Sequence, residues 1–216
     1  MAARKPLQDH ELAALHAVLG RFALRDQAVI GVGLHCGFRV SEYLPLPVGA
    51  VALTNGTIKD HLTVTRAGMK GGSGARKRSV TSRSVPLNAA VKAVLQKYLF
   101  ARFGSGPLDL NAHLFPSRKH GRPISRWRAN VIIHAVCEAA GLQNHEFYAS
   151  HMLRKSFCRR VHQQTRDINV TRQIMGHRYC ATTQLYLHVE ESEMTRAVMA
   201  LGEPVASPVA AQPMTA

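Results

Sequence analysis

Acidic residues are scarce in this 216-residue chain: 13 Asp+Glu stand against 28 Lys+Arg, a formal charge of +15. Cysteine is also thin. The four cysteines (Cys36, Cys137, Cys158, Cys180) are scattered with no C-x-x-C pair, which disfavours a zinc knuckle and a disulfide framework and leaves reduced thiols, at least two of them buried. No run approaches the roughly 18 consecutive apolar residues that a membrane-spanning helix needs. The opening MAARKPLQDHEL has no apolar core of the signal-peptide kind, so a cytoplasmic protein with no membrane partner is expected. Despite twelve histidines, His-x-x-x-His and Cys/His spacings of the zinc type are missing from the basic segments, and neither a metal nor another cofactor is expected. There is no internal repeat.

What is present is a globular composition, 46% hydrophobic, in a length suited to one domain. The basic excess points to a polyanion, although DNA, RNA and anionic membranes are all drawn by the same field. Asp9 is placed to cap a helix carrying Leu12, Leu15, Val18 and Leu19, and an apolar run follows from Ala28 to Leu34. Between Val51 and Val85 the texture changes. VALTNGTI, HLTVTR and RSVTSRSVPL are β-branched and contain an Asn-Gly turn, predicting a small antiparallel sheet whose last two strands are joined by the Gly-rich, basic AGMKGGSGARK. Helical periodicity then returns. Asn88 caps a helix that ends before Gly104, and Ser125 caps one that ends at Gly141. Further helices are expected near 151–164, 169–175, 180–188 and 191–201, with an unstructured Pro/Ala-rich tail over 203–216. The expected class is α+β, mainly helical, with a small antiparallel sheet and β-hairpin on one side.

Some segments would present basic or hydroxyl side chains to a phosphate. In HCGFRVSEYLPL, Arg39 follows Gly37 at a bend and Ser41 opens a short helix, where backbone N–H groups also favour anions; Glu42 is placed to hold the guanidinium. In HMLRKSFCRRV, His151 and Arg154 fall at i, i+3 on one helix face, opposite a buried side of Leu153, Phe157 and Val161. In IMGHRYCATTQLYLHV, Gly176 ends one helix at His177 and a second helix carries Tyr186. Taken singly, each is ordinary: a surface arginine, a solvated basic face, a core tyrosine.

Together and in this order, from about Leu7 to Val189, these segments resemble the catalytic domain of the tyrosine recombinases (the phage integrase type). CGFRVSEYLPL is similar to that family's first arginine box, HMLRKSF to its His-x-Leu-Arg-His box, and IMGHRYCATTQLYLHV to its Leu-Gly-His segment and Thr-Thr-x-x-Tyr box. LFPSRKHGRPIS and DINVTRQIMGH match connecting sequences. The resemblance implies Tyr186 as nucleophile, Arg39 and Arg154 on the non-bridging oxygens of the scissile phosphate, and His151 and His177 hydrogen-bonded to the same phosphate. It also implies a hairpin lysine as general acid, Lys70 being the best match and Lys77 the other candidate. Three positions depart from the pattern: Lys155 replaces a common second histidine, Cys36 a common Thr and Phe38 a common Leu.

The implied activity is site-specific DNA cutting and rejoining through a 3′-phosphotyrosyl intermediate, without metal or ATP. The implied partners are double-stranded DNA, further copies of the chain in a tetramer on DNA, and an accessory DNA-binding protein. A catalytic domain over residues 1–202 with no N-terminal clamp domain is expected. Two other activities suit the same fold: a catalytically silent DNA-binding regulator, and a type IB topoisomerase-like enzyme that relaxes supercoils. Arg126, Trp127 and Arg128, at one helix start, are further candidates for DNA contact, and MTRAVMALG is an amphipathic segment suited to docking on a neighbour or on its own domain.

Overall fold

The computed structural model describes residues 5–65, 82–118, 121–143, 145, 148–187, 195, 198 and 199. Among them the chain forms α1 (Asp9–Leu19), α2 (Leu24–Cys36), α3 (Val40–Tyr43), β1 (His61–Thr65), β2 (Ser82–Pro86), α4 (Ala89–Phe103), α5 (Arg126–Ala139), α6 (Ser150–Thr165), α7 (Ile168–Met175) and α8 (Cys180–Gln184). The expected mainly helical α+β architecture is present, with one two-stranded antiparallel sheet.

Helix α2 is the axis of the core. Ala28, Val29, Ile30, Val32 and Leu34 on all its sides are fully buried, as suits a helix enclosed by others. Helices α4 and α6 pack along it, and α5 packs on α1. Each such aliphatic side chain contributes about 1.5–3 kcal/mol through burial. Ile30→Ala should therefore cost about 2–5 kcal/mol.

Two of the expected caps are made: Asn88 Oδ1 accepts from Val91 N at 3.1 Å and Ser125 Oγ from Arg128 N at 3.1 Å. The first helix differs. Asp9 is its first helical residue and Gln8 its N-cap, because Glu11 folds back to accept from Gln8 N at 2.7 Å, which fixes the chain one residue earlier.

The sheet pairs Leu62 with Val85 and Val64 with Arg83, and these four residues form its inner face. VALTNGTI is not a strand. A 3-10 turn at Val48–Ala50 precedes it, and only an isolated bridge joins Ala52 to Ile58 around the Asn55-Gly56 turn. Val48 N and Gly49 N are instead taken by Ala112 O and Leu110 O, at 2.8 and 2.9 Å. Of this segment only Val51 and Ala52 are buried, and the chain folds back on itself at the turn, Leu53 N donating to Thr57 O at 2.9 Å, without extending a ladder.

The helix expected over 180–188 stops at Gln184, and Tyr186 lies in the turn beyond it, its N–H donating to Thr183 O at 2.9 Å. Thr195, Val198 and Met199, the described part of the segment expected to be helical near 191–201, are helical. The AGMKGGSGARK connection, including Lys70 and Lys77, and the tail over 203–216 lie outside the described residues.

Candidate active site

The site is assembled where two helices end. Helix α2 terminates at Gly37 with φ +60, and a Cβ there would stand 2.1 Å from Phe157 Cδ1, so both the conformation and the space require glycine. Helix α7 terminates at Gly176 with φ +65, where a Cβ would meet Arg83 Cδ at 2.9 Å. The last carbonyls of each helix have no partner within it and carry the negative end of the helix dipole. Two buried arginines satisfy them.

Arg154, on α6, is 1% exposed. Its Nη1 donates to Gly37 O, and its Nη2 donates to Met175 O at 2.9 Å and to His177 Nε2 at 2.9 Å. Its Nε–H is buried with no hydrogen-bond partner among the described residues. The solvated face shared with His151, the reading this pair invites when taken alone, is therefore not found: His151 is exposed in the first turn of α6, while Arg154 is buried with Leu153 and Cys158. A spacing of i, i+3 left the direction open, and the helix-end carbonyls made the inward one tolerable. Burial and then the charge of Arg39 disfavour the cationic form of Arg154, whereas Glu42 and Tyr186 favour it.

Arg83, on β2, was not singled out from the sequence. It donates from Nε to Ile174 O (2.8 Å), from Nη1 to Gly37 O (3.2 Å) and from Nη2 to Cys36 O (2.9 Å). Its guanidinium carbon lies 4.2 Å from the centroid of Phe38. Burial, then the neighbouring charge of Arg154, brings its pKa down to about 9. The period-2 alternation of Ser82–Pro86 was the available signal, since it puts Arg83 on the same face as Val85.

Arg39 is the N-cap of α3 in extended conformation. Glu42, 3% exposed, holds it twice, accepting from Arg39 N at 2.7 Å and from Nη1 at 2.9 Å. The rest of the guanidinium makes no hydrogen bond among the described residues, and its side chain is 33% exposed. Glu42 thereby orients Arg39 while leaving donors for a ligand.

His177 is held at both ring nitrogens, Nε2 by Arg154 and Nδ1 by the buried Thr183 hydroxyl at 3.0 Å. Burial, followed by the charges of Arg154, Arg39 and Arg83, lowers its pKa to about 4, so the ring is neutral at pH 7. The half-buried Tyr186 ring stands 5.1 Å from it, centroid to centroid. Arg154 Cζ and Lys155 Nζ lie 6.0 and 5.9 Å from the Tyr186 ring centroid.

The structure thus brings Arg39, Arg154, His177 and Tyr186 into one cluster, with His151 one helical turn from Arg154. Helix-end carbonyls take most of the donors of the buried guanidinium groups without cancelling their charge as carboxylates would, and Glu42 is the one carboxylate at the cluster among the described residues. The pocket remains positive beside a phenol, an arrangement that attracts an oxyanion and stabilises negative charge on it. Among the described residues no group of three or more His, Cys, Asp or Glu is placed to hold a metal ion, and no helix is long and apolar enough to cross a membrane.

Comparison with known proteins adds the family. The model of the phage integrase family matches residues 5–193. Tyrosine recombinase XerC of Caldanaerobacter subterraneus subsp. tengcongensis is 30% identical over 185 residues, covering 85% of this chain and 47% of that protein. The crystal structure of XerA recombinase superposes with a TM-score of 0.72 at 24% identity, covering 95% of this chain and 66% of the other. XerH site-specific recombinase bound to palindromic difH substrate in a post-cleavage complex gives 0.70 at 22% identity, covering 92% and 53%. The chain spans about half the length of the curated relatives it matches.

Proposed function

Because the chain belongs to the phage integrase family, we propose that it is a site-specific DNA recombinase that cuts and rejoins strands through a covalent bond between Tyr186 and a DNA 3′-phosphate. The observation that carries this reading is the cluster of Arg39, Arg154 and His177 around the Tyr186 ring, with Arg154 kept charged in the interior by helix-end carbonyls.

In the proposed step, Tyr186 Oη attacks phosphorus, forming the O–P bond as the bond to the 5′-oxygen breaks. The departing oxygen takes a proton from Lys70, or from Lys77 in the same connection, and the phenol gives up its proton to solvent as the cationic cluster favours the phenolate. Arg39 and Arg154 neutralise the charge that builds on the non-bridging oxygens. His151 and His177 hydrogen-bond the same phosphate. Attack by a 5′-hydroxyl of a second DNA end reverses the step and joins strands, so the bond energy is conserved without ATP. The crystallised XerH recombinase is bound to palindromic difH substrate in a post-cleavage complex and the Tn1549 transposon integrase to transposon right end DNA, which supports DNA as the substrate here. Assembly as a tetramer on DNA, an accessory DNA-binding protein and action in the cytoplasm complete the proposal.

The test uses duplexes that the protein selects by binding from a randomised pool, nicked so that cleavage releases a short end, and incubated with the full chain in EDTA. A covalent protein–DNA adduct that disappears in Tyr186→Phe is expected. Binding without any adduct would instead identify a DNA-binding module, and an adduct surviving in Tyr186→Phe would remove Tyr186 from its role. Joining of two selected sites, as against relaxation of supercoiled DNA, separates a recombinase from a topoisomerase.

A further inference from the structure

An arginine side chain has donors only, so the 2.9 Å contact between Arg154 Nη2 and His177 Nε2 forms when Nε2 offers a lone pair. The ring proton is then on Nδ1, and Thr183 Oγ1, 3.0 Å away, accepts it. The ring is thus fixed as one tautomer by two neighbours of opposite character. A phosphate oxygen has the reverse requirement. It accepts only, and a neutral imidazole can serve it solely as the Nε2–H tautomer, which leaves a lone pair on Nδ1 that needs a donor.

Thr183 is equipped for both states. A hydroxyl accepts in one rotation about Cβ–Oγ and donates in another, whereas a carboxylate or a backbone carbonyl accepts only. Thr183 is fully buried, so water does not readily take its place, and its carbonyl accepts from Tyr186 N at 2.9 Å. One residue therefore touches the histidine ring with its side chain and the turn of the proposed nucleophile with its backbone.

We propose that Thr183 is a positioning residue whose hydroxyl reverses its hydrogen bond to His177 Nδ1 when a phosphate enters, exchanging the DNA-free Nδ1–H tautomer for the Nε2–H tautomer that donates to the phosphate. The ring loses the proton on Nδ1 and gains one on Nε2 by exchange with solvent, its charge is unchanged, and Arg154 Nη2, which then has no lone pair on Nε2 to bond, donates to the phosphate instead. The DNA-free half stands on the geometry alone. The DNA-bound half rests on the strand-transfer reading given under Proposed function.

The experiment reads the protonation of the two ring nitrogens by NMR in protein labelled with 15N-histidine, the His177 signals being assigned by their loss in His177→Asn. The full chain without DNA should carry its proton on Nδ1, and Tyr186→Phe bound to a selected duplex should carry it on Nε2. With the same duplex nicked, Thr183→Val should form adduct about 10- to 100-fold more slowly at saturating DNA, with DNA affinity unchanged, and Thr183→Ser should recover most of the rate. A thermal midpoint for each variant establishes folding. A proton on Nε2, or on both nitrogens, in the DNA-free protein overturns the proposal, as does a folded Thr183→Val that cleaves at the wild-type rate. Absence of adduct with wild type would overturn the strand-transfer reading and the reversal with it, whereas a proton that stays on Nδ1 in a complex that does cleave overturns the reversal alone.

Discussion

Positive charge is used in two ways in this molecule. At the ends of α2 and α7, Arg83 and Arg154 are stripped of water and solvated by the carbonyls of Cys36, Gly37, Ile174 and Met175. At the start of α5, Arg126, Trp127 and Arg128 are all exposed, Trp127 at 72%. The first set is expensive to bury and therefore fixed; the second is held by little except the helix that carries it. A fixed, desolvated cation can stabilise charge at one point in space. A solvated one contributes to a field that draws in any polyanion and is screened by salt.

The sharpest way to break that distinction is Arg154→Lys, which keeps the charge but loses the planar fork. Adduct formation should fall about 10²- to 10³-fold, measured on selected nicked duplexes, with DNA affinity nearly intact. A lysine that cleaves at the wild-type rate would show that charge alone suffices there. Arg83→Met should act on stability. It leaves the carbonyls of Cys36 and Ile174 without their donors, at a cost of about 2–3 kcal/mol in urea unfolding.

These two arginines also mark where the sequence was legible and where it was not. Arg39, His177 and Tyr186 were readable because ordered motifs carry them, and Glu42 was visible as the partner of Arg39. Arg154 was recognised as a residue but misplaced, since a helical wheel assigns guanidinium groups to the solvent side and knows nothing of carbonyls arriving from two other helices. Arg83 escaped for the same reason, although strand alternation pointed inward. Thr183 lay inside a recognised box, yet its bond to His177 depends on how α8 is set after Gly176. The strand expected in VALTNGTI is absent because the segment folds back on itself around Asn55-Gly56, bridged only between Ala52 and Ile58, and so has no neighbouring strand to pair with among the described residues. Tyr186 falls outside α8 because Gln184 closes that helix a turn sooner than its apolar spacing suggested.

Two lowered imidazole pKa values make stability depend on pH. The imidazoles of His35 and His177 both have pKa values lowered to about 4, chiefly by burial; His35 also stacks on His16 and feels Arg160. In the unfolded chain these rings take up protons below about 6.5, whereas in the folded chain they resist until about 4. Stability should therefore be full above pH 6.5 and fall as pH drops through that window, by about 1–2 kcal/mol after discounting for partial exposure. Urea midpoints at pH 7 and 4.5 check this, and His35→Gln should flatten part of the slope. An unchanged midpoint would show that neither ring resists protonation in the fold.

The smallest effect is expected at the exposed set. Arg126→Ala and Arg128→Ala should leave stability within about 0.5 kcal/mol, weaken binding to all duplexes alike by a few-fold, and reduce the salt slope by about 1 for each DNA phosphate that is no longer neutralised. A weakening confined to one DNA sequence would move these residues from the general field to base recognition.

If the positive pocket serves one phenol, the covalent bond to DNA has a single address. Digesting the adduct with nuclease and protease and sequencing the peptides by tandem mass spectrometry tests it most directly. A nucleotide 3′-phosphate on Tyr186 is expected, and a nucleotide on the exposed Tyr179, or on any other residue, would place the covalent bond elsewhere and remove Tyr186 as nucleophile.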